Sequence, residues 1–269
     1  MRSHLAILIC GFVLTTTACD RKGTPGLDLV FNPSEDVALG QQLHEEIFAN
    51  PDEYPLLDET AYADQYAYLQ NLCDKIVATG NLAHADLFTY KVYIIDQDVL
   101  NAFAAPGGNL YFYTGLLKFL DEEDDVMGVM GHEIAHADRR HSVNQMLKNY
   151  GVQFMLSAAL GNDPSSVAVI LAQLAGTGAA LKFSRSDESE ADEYSVIYLS
   201  ETEYRCDAAA RFFLKLDSAG LTSNVPEFLS THPSPDNRIE AIEAKAEELQ
   251  CSTQYYAPAS FYDFQASLP

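Results

Sequence analysis

One short run in this chain carries recognisable chemistry: Gly131-His132-Glu133-Ile134-Ala135-His136. The apolar residues around it, Met127, Val129, Met130 and Ile134, favour a helix. On a helix, residues four apart lie on one face, one turn above each other, so His132 and His136 can both reach a single metal ion. Glu133 sits one position round from His132, where its carboxylate can contact a water on that metal without being a ligand. Imidazole and oxygen donors with one position left open suit catalytic Zn2+. One zinc per chain is therefore the expected cofactor.

A third protein ligand is needed, and an extended histidine motif does not supply it. That arrangement would place Gly at 139 and His at 142, but the residues there are Arg139 and Ser142, with His141 one position out of register. A carboxylate from a later helix is the alternative. The run Phe183-Ser184-Arg185-Ser186-Asp187-Glu188-Ser189-Glu190-Ala191-Asp192 offers Glu188 and Asp192, four apart on one face. Glu188 can bind the metal while Asp192 orients a histidine by accepting its ring N–H. Glu190 points elsewhere on a regular helix and reads, with Asp187 and Glu193, as part of a solvated acidic face.

The elements that must position these residues follow from periodicity. Apolar spacing predicts helices over Ser34–Phe48, with Ser34 as N-cap, and over Tyr62–Val77. Strands are expected at Leu87–Ile95, Ala102–Ala105 and Leu110–Tyr113, the last leaving the turn Pro106-Gly107-Gly108-Asn109. A long helix from Asp121 to about Leu147 then carries the histidines, its opening acids suited to the positive end of the helix dipole. Residues 152–183 are mostly apolar; they read as buried helix or as a flap over the site, too short and too mixed to span a bilayer. Further helices are expected over Asp187–Tyr198, Asp207–Ala219 and Pro235–Leu249, followed by a loose tail over 252–269.

The 269 residues carry 39 acidic and 16 basic side chains, a formal charge of −23. Such a surface repels nucleic-acid backbones, and no basic patch with interleaved aromatics occurs, so nucleic acid is excluded as a partner. Any membrane contact must come from an anchor. The start supplies one: Met1-Arg2-Ser3-His4, an apolar run from Leu5 to Leu14, then Thr15-Thr16-Thr17-Ala18-Cys19. This describes a secretory signal over 1–18, and small residues ending on cysteine resemble a lipobox, although Thr16 stands where that box usually has Leu. The reading is lipidation at Cys19, a tether over 19–33, and a domain over 34–251 on the periplasmic side of a bacterial membrane. Asp20 leaves inner and outer membrane both open. Without Cys10 and Cys19, three cysteines remain; Cys206 and Cys251 at the edges of a helical region are the expected disulfide, with Cys73 a buried thiol.

Taken together, His132-Glu133-x-x-His136, Ser184-Arg185 with Glu188-x-x-Ala191-Asp192, and His232-Pro233-Ser234-Pro235-Asp236-Asn237-Arg238 resemble the gluzincin superfamily of HtpX and the CaaX prenyl proteases. Asn101-Ala102-Phe103-Ala104 with Pro106-Gly107-Gly108 is similar to the strand region before the metal helix in that family. The likeness covers roughly residues 35–250 and is greatest to the periplasmic BepA- and LoiP-type peptidases. It implies a mainly helical, zincin-type α+β domain with a small sheet whose edge strand precedes the metal-binding helix. It further implies zinc on His132, His136 and Glu188, with Glu133 as general base. His232 and Arg238 match a pair that reaches the active site, as oxyanion donors or, for His232, as a fourth ligand that closes the site. An ion pair with a nearby acid is the other role open to Arg238.

The strand around Asn109, Leu110, Tyr111 and Phe112 is expected to accept an extended peptide along an open edge. Backbone-directed recognition of that kind favours unfolded or misassembled envelope proteins as substrates. The expected function is an envelope quality-control endopeptidase. The alternative is a metal-dependent, chaperone-like assembly factor whose proteolysis is secondary or blocked, against which stands Glu133, a residue that a scaffold does not need.

Overall fold

The computed structural model describes residues 29–176, 181–221, 227–233, 237–254 and 260–269. The segment expected to be a signal sequence, Cys19 and most of the expected tether lie outside the described residues. Helix α1 (Pro33–Ala49) starts two residues earlier than its expected cap suggests, because Asn32 and not Ser34 caps it. The Asn32 side chain accepts the Ser34 N–H, and Glu35 returns a bond to the Asn32 N–H. Leu39, Leu43 and Ile47 are fully buried along one face. Gly40 lies against the Pro106 carbonyl so closely that a Cβ there would come within 2.0 Å of its oxygen. Helix α2 (Ala63–Val77) buries Tyr66, Leu69, Leu72, Cys73 and Ile76 as its period predicts.

Three short strands follow: β1 (Val92–Ile95), β2 (Ala102–Ala104) and β3 (Leu110–Tyr113), in the order β1-β3-β2. β1 pairs parallel and β2 antiparallel to β3, with Ala102 opposite Phe112 and Ala104 opposite Leu110. This corrects the expected substrate edge. Leu110, Tyr111 and Phe112 are in the middle strand, bonded on both sides and fully buried, and Asn109 offers its carbonyl to the Ala105 N–H. The strand has no free donors or acceptors for a peptide. The outer side of β1 is also taken, by Leu57 N–H to Ile94 O and Asp96 N–H to Pro55 O. β2 is left as the edge strand that precedes the metal helix.

After α3 (Thr114–Phe119) the predicted long helix is two helices, α4 (Glu123–Asp138) and α5 (His141–Tyr150). The break falls at Arg139 and Arg140, where Arg140 adopts a left-handed φ of 60° that a helix cannot contain. Arg140 is held there by Nε to Asp36 Oδ2 at 2.6 Å and Nη2 to the Phe31 carbonyl at 2.7 Å. Every residue of α4 is buried, its acidic first turn included. Glu123 accepts from the Tyr68 and Tyr204 hydroxyls, Asp124 from the Arg205 N–H, and Asp125 from Arg211. Gly128 lets α4 press onto the backbone at Ala208, where a Cβ would meet the Ala209 nitrogen at 2.5 Å.

Helices α6 (Val152–Ala159) and α7 (Pro164–Leu174) form a hairpin bent by 101° that packs on α1. Among the described residues no single helix is long and apolar enough to cross a membrane. α8 (Arg185–Leu199), α9 (Ala208–Ser218), the short α10 (Glu227–Thr231) and α11 (Arg238–Leu249) complete the helical layer around α4. Ser184 caps α8 in a reciprocal pair with Asp187, so Asp187 is a capping residue and not merely part of an acidic face. The chain's last residues are not a loose tail. α12 (Ser260–Ala266) buries Phe261 and Phe264, the latter stacked on Tyr68 at 4.4 Å, and Gln265 donates to the Leu117 and Leu120 carbonyls. Seven residues are too few to show a helical period in the sequence. Cys206 and Cys251 are joined, tying the entry of α9 to the end of α11, and Cys73 is a buried thiol. Burial pushes that thiol far above its ordinary pKa, so it is inert.

Candidate functional site

α4 brings His132 and His136 onto one face with their Nε2 atoms 3.0 Å apart. α8 lies across α4 and delivers Glu188, whose Oε1 is 3.3 Å from His136 Nε2 and whose Oε2 is 3.5 Å from His132 Nε2. His232 follows directly on α10, its N–H bonded to the Phe228 carbonyl and its ring stacked on Phe228 at 4.3 Å. Its Nδ1 is 3.0 Å from Glu188 Oε1 and 3.4 Å from His132 Nε2. Pro233, lacking an N–H, cannot carry that helix further. One donor atom from each of His132, His136, Glu188 and His232 lies within 4.8 Å of the other three, and all four residues are buried.

This set fits a metal ion on its chemistry. His132 Nδ1 is 3.0 Å from Asp192 Oδ1 and His136 Nδ1 is 3.0 Å from His141 Nδ1, so each ring has a polar neighbour on its far side. The two Nε2 atoms face each other at 3.0 Å, a spacing that a shared proton or a metal cation accepting both lone pairs would satisfy. Burial works against a charge on His132, but the carboxylates of Asp192 and Glu188 outweigh it and raise its pKa to about 9. His136 is pushed well below its ordinary value by burial, against the pull of Glu188. Burial alone would raise Glu188, yet His232, His132 and His136 together hold it well below the carboxylate range. Three imidazoles around one ionised carboxylate are a neutral-ligand and anion set of the kind that catalytic divalent zinc takes.

Glu133 is buried beside the cluster. Its Oε1 is 3.5 Å from His232 Nε2 and has no hydrogen-bond partner among the described residues. Burial pushes its pKa up, moderated by the nearby imidazoles and by a bond from the Ala104 backbone. Ala104 belongs to β2, so the free sheet edge and the candidate base touch. Phe103, Ala104, Glu133, Leu174, Leu181, Phe183, Thr231 and His232 enclose a cavity of only about 10 Å3 there, on the order of one water. Phe183 closes it from above, with its ring 4.0 Å from that of His136 and its N–H bonded to the Thr231 carbonyl. Asn101, just before β2, donates to the Ala175 carbonyl at the end of α7, so the apolar hairpin is fastened over the same edge.

Arg238, offered above as a catalytic donor or an ion-pairing residue, takes the second role. Nε and Nη2 grip both oxygens of Asp192 at 2.8 Å, and Nη2 also bonds Glu188 Oε2 at 2.9 Å. The guanidinium carbon lies over the Phe213 ring, 3.7 Å from its centroid. It stands behind the ligand carboxylate and not in the cavity beside Glu133. Glu190, taken above for a solvated residue, bonds Arg139 Nε at 2.9 Å and lies 3.5 Å from His141 Nε2. His141 and Phe183 are contributors that sequence reading did not assign. The one available signal was an extra histidine out of register with a known pattern.

Comparison with known proteins agrees with this geometry. The family model described as "Peptidase family M48" matches residues 63–246. The chain is similar to the beta-barrel assembly-enhancing proteases of Yersinia pestis and Escherichia coli strain K12. Each is 28% identical over 193 residues, covering 68% of this chain and 39% of the relative. It is also similar to the mitochondrial metalloendopeptidase OMA1 of Schizosaccharomyces pombe, 29% identical over 194 residues, covering 71% of this chain and 56% of that protein. The chain thus matches well under half the length of the bacterial relatives. Because the family match spans α4, α8 and His232 together, every segment that brings a donor to the site, the chain belongs to peptidase family M48.

Proposed function

We propose that this protein is a zinc-dependent endopeptidase of a bacterial cell envelope that hydrolyses peptide bonds in unfolded or misassembled proteins. The observation that carries the reading is the convergence of four buried donor atoms next to a buried, unpartnered carboxylate oxygen of Glu133. Zinc on His132, His136 and Glu188 would supply Lewis acidity, making a water nucleophilic near neutral pH and polarising a carbonyl. The chain's own residues do the rest. Glu133 takes the proton of the attacking water and returns it to the leaving amine. Asp192 and His141 hold the two ligand rings in place, and Arg238 holds Glu188 and Asp192. The outer edge of β2, in contact with the base, is where an extended peptide would add as a strand. The names of the bacterial relatives, proteases connected with beta-barrel assembly, support an envelope setting.

A closed resting form is part of this reading. His232 Nδ1 occupies the donor set, the place a reacting water needs, and the cavity at β2 is too small for a peptide. Activity then requires the segments carrying Phe183 and His232 to withdraw. A purely assembly-promoting role gains support from the same closure, but leaves Glu133 without a purpose. Attachment to the membrane through a lipid on Cys19 completes the proposal, on the sequence pattern at 1–19. The deciding experiment is cleavage of casein by purified protein beginning after Cys19, with and without a zinc chelator. Chelator-sensitive cleavage restored by zinc is expected; cleavage indifferent to metal removal would end the reading.

A further inference from the structure

Each metal-facing histidine of α4 has a partner on the far side of its ring, but the two partners differ in kind. His132 Nδ1 meets a carboxylate, Asp192 Oδ1, at 3.0 Å. His136 Nδ1 meets another imidazole, His141 Nδ1, also at 3.0 Å. On an unbroken helix, residues five apart lie roughly 140° round from each other and do not meet. They meet here because the left-handed Arg140 turns the chain between them. His141 is itself buried, at 4% exposure. Its other nitrogen, Nε2, lies 3.5 Å from Glu190 Oε2, a charge contact, and has no hydrogen-bond partner among the described residues. Glu190 is fixed in turn by Arg139 Nε on its second oxygen at 2.9 Å, with the guanidinium 4.3 Å over the Tyr194 ring.

Two imidazole nitrogens 3.0 Å apart can bond only if one carries hydrogen and the other does not. A ring that binds metal through Nε2 keeps its hydrogen on Nδ1, so His136 is the donor. His141 Nδ1 must then be bare, which puts its own hydrogen on Nε2, facing Glu190. A carboxylate 3.5 Å from that end attracts this hydrogen electrostatically and disfavours the opposite tautomer. We infer that His141 and Glu190 are positioning residues: a relay from Glu190 through His141 sets the tautomer and orientation of His136 and thereby its strength as a ligand. The inference deepens the metal reading and rests on it. α8 consequently serves both ligand histidines, His132 through Asp192 and His136 through Glu190 and His141, besides giving Glu188. Arg139 is a lateral support that keeps the Glu190 carboxylate turned towards His141.

The test is zinc affinity of the metal-free protein, measured by competition with a chromophoric chelator, alongside the unfolding midpoint without metal. His141→Phe should weaken zinc binding about 10- to 100-fold. His141→Gln, whose amide oxygen can accept from His136, should recover most of that loss, and Glu190→Gln should fall between. Zinc affinity of a folded His141→Phe protein within about twofold of wild type would overturn the inference while leaving the metal reading intact. Wild-type protein that bound no zinc would sink the metal reading and the relay together. A readout that needs no variant is the ring 15N spectrum of zinc-loaded wild type. His141 should carry its hydrogen on Nε2; hydrogen on Nδ1 would refute the relay.

Discussion

Arg238 holds Asp192 by two parallel hydrogen bonds, Nε to Oδ2 and Nη2 to Oδ1, both 2.8 Å, and both side chains are buried. The same guanidinium reaches Glu188 Oε2 at 2.9 Å, so one cation fixes a metal ligand and the carboxylate that orients another ligand. Arg238→Ala should therefore act through structure and metal binding. Leaving buried carboxylates unpaired costs about 3–5 kcal/mol, and zinc occupancy should fall with stability. Arg238→Lys should not rescue it, because a lysine cannot make the paired contact. A variant with normal zinc content and unfolding midpoint, but a slower catalytic step, would return Arg238 to the oxyanion role.

Glu188→Ala removes the one carboxylate in the donor set. Metal analysis after dialysis should show zinc lost from this variant and kept by Glu193→Gln, whose side chain is about half exposed beside Lys245. Retention of full zinc by Glu188→Ala would show that a different residue completes the site.

Glu133→Gln keeps the shape of the side chain but cannot accept a proton. Zinc content and unfolding midpoint should match wild type, while kcat on casein falls by about 10²- to 10⁴-fold. Near-normal turnover in a fully metallated variant would exclude Glu133 as the base.

His232→Ala separates closure from catalysis. With Nδ1 in the donor set, 3.0 Å from Glu188 Oε1, its removal should open the site and raise cleavage of an unfolded substrate. A loss of kcat of about 10- to 1000-fold with zinc retained would instead assign His232 to oxyanion stabilisation.

The Cys206–Cys251 bridge closes a loop with a sequence separation of 45. Replacing both cysteines with serine should lower stability by about 4 kcal/mol on the loop-entropy scale, read as a drop in denaturation midpoint. Zinc affinity should hold, because neither cysteine belongs to the donor set. An unchanged midpoint would mean that the bridge contributes nothing to the fold.

The residues legible in the sequence were those whose relation is set by one helical turn. His132 and His136 share a face, as do Glu188 and Asp192, whatever the rest of the chain does. The helices themselves were readable for the same reason: α1, α2, α8 and α9 show their buried faces as a local period. Helix α4 was readable as a helix but not in its extent. Its break depends on Arg140 bonding Asp36 and the Phe31 carbonyl, partners more than a hundred residues earlier.

Everything that pairs those local faces was decided by tertiary structure. Whether Arg238 meets a substrate or a carboxylate depends on how α11 packs on α8, and two buried acids beside a buried guanidinium leave one low-energy answer. Which strand is the free edge depends on strand order, which the four apolar and aromatic residues of β3 do not encode; β3 takes partners on both sides. His141 shows the limit most clearly. Five residues from His136 it lies on the wrong face of any regular helix, and only the left-handed residue between them brings the two rings to 3.0 Å. Sequence periodicity therefore determined which side chains could share a metal, since covalent helix geometry repeats locally. The orientation, charge balance and access of that site are long-range contacts, which no local period encodes.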